Sequence, residues 1–213
     1  MAQWLVRVYS QIIWLVVWLN ILKITMIAVM KITLTEWITG FLVSALAYSA
    51  LFYLNSWLTS HLAYGLGVNW IYLPAGLRLF LTLIFGLPAA IGISVVSFLI
   101  CYFGEFPPEF TTCLGIGLIS GFAPYLARIF VISNIKLSPD LSDLSLPKLV
   151  GCILIYALLS AGLHQWWFAV RGLDESGSLN HFLVMFLGDI FGTVLLVTLI
   201  KYGLDLFRSS RVA

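Results

Sequence analysis

The sequence predicts an all-α fold, a polytopic transmembrane helical bundle of six or seven spans, and two observations carry that expectation. Of the 213 residues, 62% are apolar and only 9% are charged, whereas a soluble domain carries about a quarter charged residues. The apolar residues also fall in blocks: 37–57 and 149–170 hold no Asp, Glu, Lys or Arg. Each block can cross a hydrocarbon core of about 30 Å at about 1.5 Å per residue. With so many spans in so short a chain, 1–213 reads as a single integral membrane domain with no soluble output domain.

Taken in order, the candidate spans are 4–22, 37–57, 69–86, 87–104, 112–133, 147–169 and 181–204. The first lacks a small-residue cleavage site and is followed by Lys23 and Lys31, so it reads as a retained helix rather than a signal peptide. It either spans or lies along the interface, which sets the choice between seven and six. The third and fourth share one apolar block, 70–103, with a break expected at Gly86-Leu87-Pro88, because proline cannot continue the helical ladder. A helix-in, helix-out pair and a re-entrant hairpin both fit that block.

Basic residues set the orientation. The carboxyl end carries Lys201, Arg208 and Arg211, and the loop 134–146 carries Lys136 with Lys148 just beyond it, so these are expected in the cytoplasm. The acidic, base-free loop after Phe103 is then outside. Trp57, Trp70, Tyr72, Trp166 and Trp167 fall near the outer boundary, as interfacial anchors would. Gly117-x-x-x-Gly121 and Gly188-x-x-x-Gly192 predict close helix approach.

Two charges lie deep in apolar segments, Arg78 and Asp189. A lone charge at mid-bilayer costs about 3 kcal/mol or more, so each needs a partner or a polar pocket. Both should sit roughly 12–14 Å below the outer boundary on segments entering from outside, with Gly188 and Gly192 leaving room for their approach. The pair either fixes helix register or lines a ligand pocket. Pro74-Ala75-Gly76, a turn before Arg78, fits exposed backbone at a pocket or else a kink. Arg128 is placed to snorkel to the cytoplasmic face or to act within the bundle.

Other chemistry is thinly represented. Cys101, Cys113 and Cys152 have no paired spacing and read as small apolar fillers. His61, His164 and His181 map to the outer end without ligand spacing, so no metal or cofactor is expected. No nucleophile–base order or phosphate loop is present, and no basic run suggests nucleic acid. The chain is expected to act by binding, without catalysis.

Two elements resemble the membrane-associated sensor domains of the MASE group, first type. Trp70-Ile-Tyr-Leu-Pro-Ala-Gly is similar to their Trp-x-Pro-x-Gly element, with Tyr72 where the tryptophan is expected, and Gly188-Asp-Ile-Phe-Gly192 to their Gly-Asp-x-x-Gly element. The matching residues are Pro74, Gly76, Gly188, Asp189 and Gly192. The resemblance implies a bundle in the bacterial cytoplasmic (inner) membrane that passes a signal to a kinase or cyclase. The chain ends nine residues past Leu204, so the output is expected from another membrane or signalling protein in trans. Two other readings remain open. One is a substrate-binding subunit of an energy-coupling-factor-type transporter, with Ala45-x-x-x-Ser49 as docking stripe. The other is a structural accessory subunit of a larger membrane complex.

Overall fold

The computed structural model describes residues 33–104, 106, 108–173 and 178–209. The expected first span, 4–22, therefore lies outside the described residues, as do Lys23, Lys31 and Arg211. The chain divides into two compact units, 1–37 and 38–213.

Six α-helices are described: α1 (Leu34–Thr59), α2 (Leu73–Phe85), α3 (Leu87–Phe103), α4 (Phe110–Asn134), α5 (Leu146–Arg171) and α6 (Leu179–Ser209). Thr33 and Glu36 open α1 as a reciprocal cap. Thr33 N donates to Glu36 Oε2 at 2.9 Å, and Glu36 N donates to Thr33 Oγ1 at 3.3 Å, which satisfies two orphan donors of the first turn. Four helices are long and apolar enough to cross a membrane: α1, α4, α5 and α6. The other two have 13 and 17 residues. At 1.5 Å per residue they reach about 20 and 25 Å, short of a 30 Å core.

These short helices form a hairpin that turns inside the bundle. Gly86 adopts φ +63°, a conformation that costs glycine little, and Pro88 follows in the first turn of α3, where its missing N–H is not needed. The expected break at Gly86-Leu87-Pro88 is where the chain turns.

Close backbone contacts fix the directions of the helices. The open faces of Gly117 and Gly121 on α4 meet the carbonyls of Ser94 and Ala90 on α3, so those two helices run antiparallel. Gly92 of α3 faces Phe41 and Ala45 of α1, while Gly40 faces Pro88, which makes α1 and α3 parallel. Gly76 of α2 lies against Thr193 and Leu196, and Gly192 of α6 against Tyr72, so α2 runs alongside α6 in the same sense.

Between α1 and α2, β1 (Ala63–Gly65) and β2 (Val68–Asn69) pair antiparallel. The end of the bundle that carries this ribbon is called the hairpin end below. Residues 70–72 then run into α2, which starts at Leu73, four residues later than the span expected from 69. Pro74 sits in the first turn of α2. It is neither a kink nor a source of exposed backbone, because the first helical N–H groups have no intrahelical acceptor in any case. Toward the opposite end, Ala75, Leu79 and Leu83 of α2 pack on Ala127, Val131, Ile153 and Tyr156. In lipid such contacts hold by close packing rather than by escape from water.

Candidate functional site

The two deep charges are brought together. Arg78 Nη2 lies 3.9 Å from Asp189 Oδ1, with the side chains 2% and 1% exposed. Their backbones are not at equal depth, however. Gly76 is level with Thr193, so Asp189 lies one turn above that level and Arg78 half a turn below it. Six residues of helix rise, about 9 Å, separate them. The side chain closes the gap because helical side chains tilt toward the amino end, here toward Asp189. Gly188 and Gly192 also do something other than admit the arginine. Their open faces take the carbonyls of Asn69 and Tyr72, and Tyr72 N donates to Gly188 O at 3.1 Å. They let the chain leading into α2 lie directly on α6.

Three tyrosines surround the guanidinium, with ring centroids 5.1 Å (Tyr72), 6.0 Å (Tyr48) and 6.0 Å (Tyr156) from Cζ. Cation–π attraction is worth about 2 kcal/mol when desolvated, which helps retain the charge in the bundle. Tyr72 thus turns toward the cation and is not the interfacial anchor expected of it. Tyr48 Oη and Tyr72 Oη are 3.3 Å apart. Hydrogen bonding around the pair is incomplete: Arg78 Nε and Nη2, Asp189 Oδ2 and Tyr156 Oη have no partner among the described residues.

A cavity of about 300 Å³ reaches Arg78 from the hairpin end. Thr59, Ser60, Gly65, Gly67 and Phe106 line its outer part, and Asn55, Ser97, Ser120 and His164 line it further in. The apolar walls include Phe52, Ile100, Ile116 and Phe168. Gly67, at φ +69°, leaves room for the Phe106 ring, which would stand 2.8 Å from a Cβ there. Phe106 also packs on Phe168 with centroids 5.9 Å apart. Asn55 anchors the start of α2, accepting a hydrogen bond from Leu73 N at 3.0 Å.

His164 is 3% exposed and lies within α5, not at its end as expected. Its Nδ1 is 2.8 Å from Ser160 O and its Nε2 is 3.3 Å from Ser120 Oγ. A carbonyl only accepts, so Nδ1 carries a proton and donates to Ser160 O, while Nε2 shares a hydrogen bond with the Ser120 hydroxyl, which can donate or accept. His181 packs on Tyr64 at 5.0 Å and pairs with Ser178, and His61 is exposed. Among the described residues no group of three or more His, Cys, Asp or Glu side chains could hold a metal ion.

The reading of all three cysteines as fillers is corrected for two of them. Cys101 and Cys113 form a disulfide with Cα atoms 5.4 Å apart. They are twelve residues apart in sequence, and the reversal between α3 and α4 sets them opposite each other. Cys152 is free and buried. Beside the disulfide, Arg171 pairs with Glu109 and its Nε donates to Thr112 Oγ1 at 2.9 Å. The Arg171 hydrogen bond, followed by that from Thr112, holds the Glu109 carboxyl below its usual range.

Arg128 is partly buried, and its Nε donates to Leu83 O at 3.2 Å. It caps the last turn of α2, where the negative end of the helix dipole favours a cation.

The residues that sequence reasoning did not single out are Tyr48, Tyr156, Ser97 and Ser120. Each is a lone polar group in an apolar block, the signal a buried polar site leaves in a membrane helix. Compared with known proteins, the chain matches no protein-family model, no curated protein and no solved structure.

Proposed function

We propose that this chain is a non-enzymatic membrane module that binds a small ligand in the Arg78 cavity and reports its occupancy to another membrane or signalling protein. The observation that carries the reading is the cavity itself. It runs from the hairpin end to a buried cation that retains unpartnered donors, whereas a purely structural ion pair would close on itself. Ligand sites are concave and mostly apolar, with a few convergent polar groups, and this cavity has that make-up.

The bundle is oriented with the hairpin end outside a bacterial inner membrane and the carboxyl end in the cytoplasm. Two independent features support this orientation. Lys136, Lys148 and Lys201 gather at the opposite end, as the positive-inside rule asks. The Cys101–Cys113 disulfide lies at the hairpin end, and disulfides persist in oxidising compartments. The likeness to the first type of MASE sensor domain agrees with this arrangement, since Asp189, Gly188 and Gly192 of its late motif all serve the region around Arg78. The transporter-subunit alternative gains nothing from Ala45, whose backbone packs on Gly92 within the chain and whose side chain is only partly exposed.

The test is thermal unfolding of the purified chain in mild detergent against a broad library of small metabolites, with Ile116→Trp as the blocked control. Saturable stabilisation that Ile116→Trp removes is expected. If no compound stabilises the wild type, or if Ile116→Trp responds equally, the cavity is not a ligand site. Labelling of Ser209→Cys in intact cells by an impermeant thiol reagent would overturn the orientation.

A further inference from the structure

Among the described residues, Arg78 is the one charged side chain that lines the cavity, and no acid lines it. Asp189 stands behind the guanidinium, outside the lining. His164 has both ring nitrogens engaged, Nδ1 donating to Ser160 O and Nε2 hydrogen-bonded with Ser120 Oγ. The remaining polar groups facing the space are rich in donors. Of the two hydroxyl protons on Tyr48 and Tyr72, the hydrogen bond between the rings uses one and leaves the other free to donate. Ser97 Oγ, 4% exposed as a residue, has no partner among the described residues. A guanidinium, a phenol and a serine hydroxyl from α2, α1 and α3 line the same cavity, and all three can donate to an acceptor-only group. A cationic head would meet Arg78 unfavourably, and a neutral hydroxyl would leave donors unmatched.

The remaining lining is apolar and aromatic, from Phe52, Ile100, Ile116 and Phe168. Its volume, about 300 Å³, is at the small end for ligand cavities, which run from about 300 to 1,000 Å³. We propose that the ligand is a small amphipathic organic acid, its carboxylate held by Arg78 with Tyr48 or Tyr72 and Ser97, and its apolar body held by those walls. The proposal rests on the ligand-binding reading above and adds the chemical class. Carboxylate and guanidinium match in shape as well as in charge, which a lysine at this position would not reproduce.

The experiment compares the unfolding temperature of the full chain in detergent with 4-phenylbutyrate, decanoate and the neutral 4-phenylbutyramide. Either acid should raise it by about 5 °C or more at a hundredfold excess over its Kd, and the amide should have no effect. A shift from 4-phenylbutyrate identifies a water-soluble acid, and a shift confined to decanoate identifies a lipid-derived one. Both would support the carboxylate site. The acid response should vanish in the charge-neutral pair Arg78→Gln with Asp189→Asn, which keeps the fold without either buried ion, and also in Ile116→Trp. Stabilisation by the amide equal to that by the acid, lost in Ile116→Trp, overturns the acid while keeping the cavity as a ligand site. An acid response that persists in the charge-neutral pair overturns the role of Arg78. The absence of any response to either acid overturns the proposal, and the broader library then decides whether the cavity binds anything.

Discussion

Arg78 and Arg128 carry the same guanidinium into the same bundle and arrive in opposite circumstances. Arg128 donates to Leu83 O at 3.2 Å and so completes the end of α2, a task the fold itself requires. Arg78 meets a carboxylate at 3.9 Å and three tyrosine rings, and keeps Nε and Nη2 without a hydrogen bond. A cation that caps a helix is explained once the helix is placed. A cation that is buried, loosely paired and set at the end of a cavity is not explained by the fold alone, and that contrast separates the site from the scaffold.

The largest expected effect breaks the Arg78 side of the comparison. Removing one member of a buried ion pair strands the other and costs about 3–5 kcal/mol, whereas removing both can be nearly neutral. Arg78→Gln and Asp189→Asn should each lower the unfolding temperature or the yield, and the double variant should regain most of the loss. Additive losses in the double variant would show that the two side chains act independently despite their 3.9 Å separation.

Much of this architecture was legible in the sequence, because hydropathy in a bilayer is a direct readout of length and solvent. The expected 112–133 and 147–169 lie within Phe110–Asn134 and Leu146–Arg171, and Gly86 with Pro88 marked the turn. The approach of Arg78 to Asp189 was legible for a different reason, since a buried charge needs a partner and few were on offer. What stayed hidden depends on tertiary juxtaposition. Hydropathy cannot distinguish residues 70–72 from helix, so the start of α2 was placed too early. The equal-depth argument failed for a separate reason, since Asn69 lies against Gly188, well inside α6, rather than level with residue 181. Pro74 carried the right signal, a proline in the first helical turn. The pairing of Cys101 with Cys113 needs the reversal between α3 and α4, and the aim of Tyr48, Tyr156 and His164 needs the rotation of their helices, neither of which a single sequence supplies.

The next effect concerns the backbone contact that holds the entry to α2 against α6. A Cβ on Gly192 would fall on the carbonyl of Tyr72, and backbone cannot yield as a flexible side chain can. Overpacking of this kind typically costs about 1–3 kcal/mol, so Gly192→Ala should destabilise the chain and weaken acid binding together, since Tyr72 lines the cavity. Gly203, with nothing within 4 Å of its Cβ position, is the matched control, and Gly203→Ala should do neither. Equal effects at the two glycines would mean that helix propensity, not packing on Tyr72, is being measured.

Arg128→Met sharpens the other side of the comparison. Losing the hydrogen bond to Leu83 O and the favourable interaction with the end of α2 should cost about 1–2 kcal/mol, visible as a lower unfolding temperature. The response to an organic acid should survive, because Arg128 does not line the cavity. Loss of ligand response with little loss of stability would show that Arg128 and Arg78 share a task, and the division drawn above would fail.

The smallest effect belongs to a third cation, Lys148, at the solvent-facing end opposite the hairpin end. Its Nζ pairs with Asp143 and also donates to Lys136 O at 3.2 Å. The lysine hydrogen bond, followed by that from Ser138 N, holds the Asp143 carboxyl down to about 2. A carboxyl lowered in the folded state contributes stability above its ordinary value, about 3.9, and that contribution is lost as the pH falls toward 2. At 25% and 39% side-chain exposure, water screens the pair and its worth near neutral pH is small. Lys148→Met should therefore move the Asp143 titration, followed by carboxyl carbon resonances, up toward the ordinary range while the Ser138 N–H keeps it from arriving fully. Ligand response should not change. A titration that stays near 2 in the variant would assign the depression to Ser138 N alone. The contrast with Arg78 would then sharpen further, since an exposed lysine would be doing nothing measurable while a buried arginine sets both stability and binding.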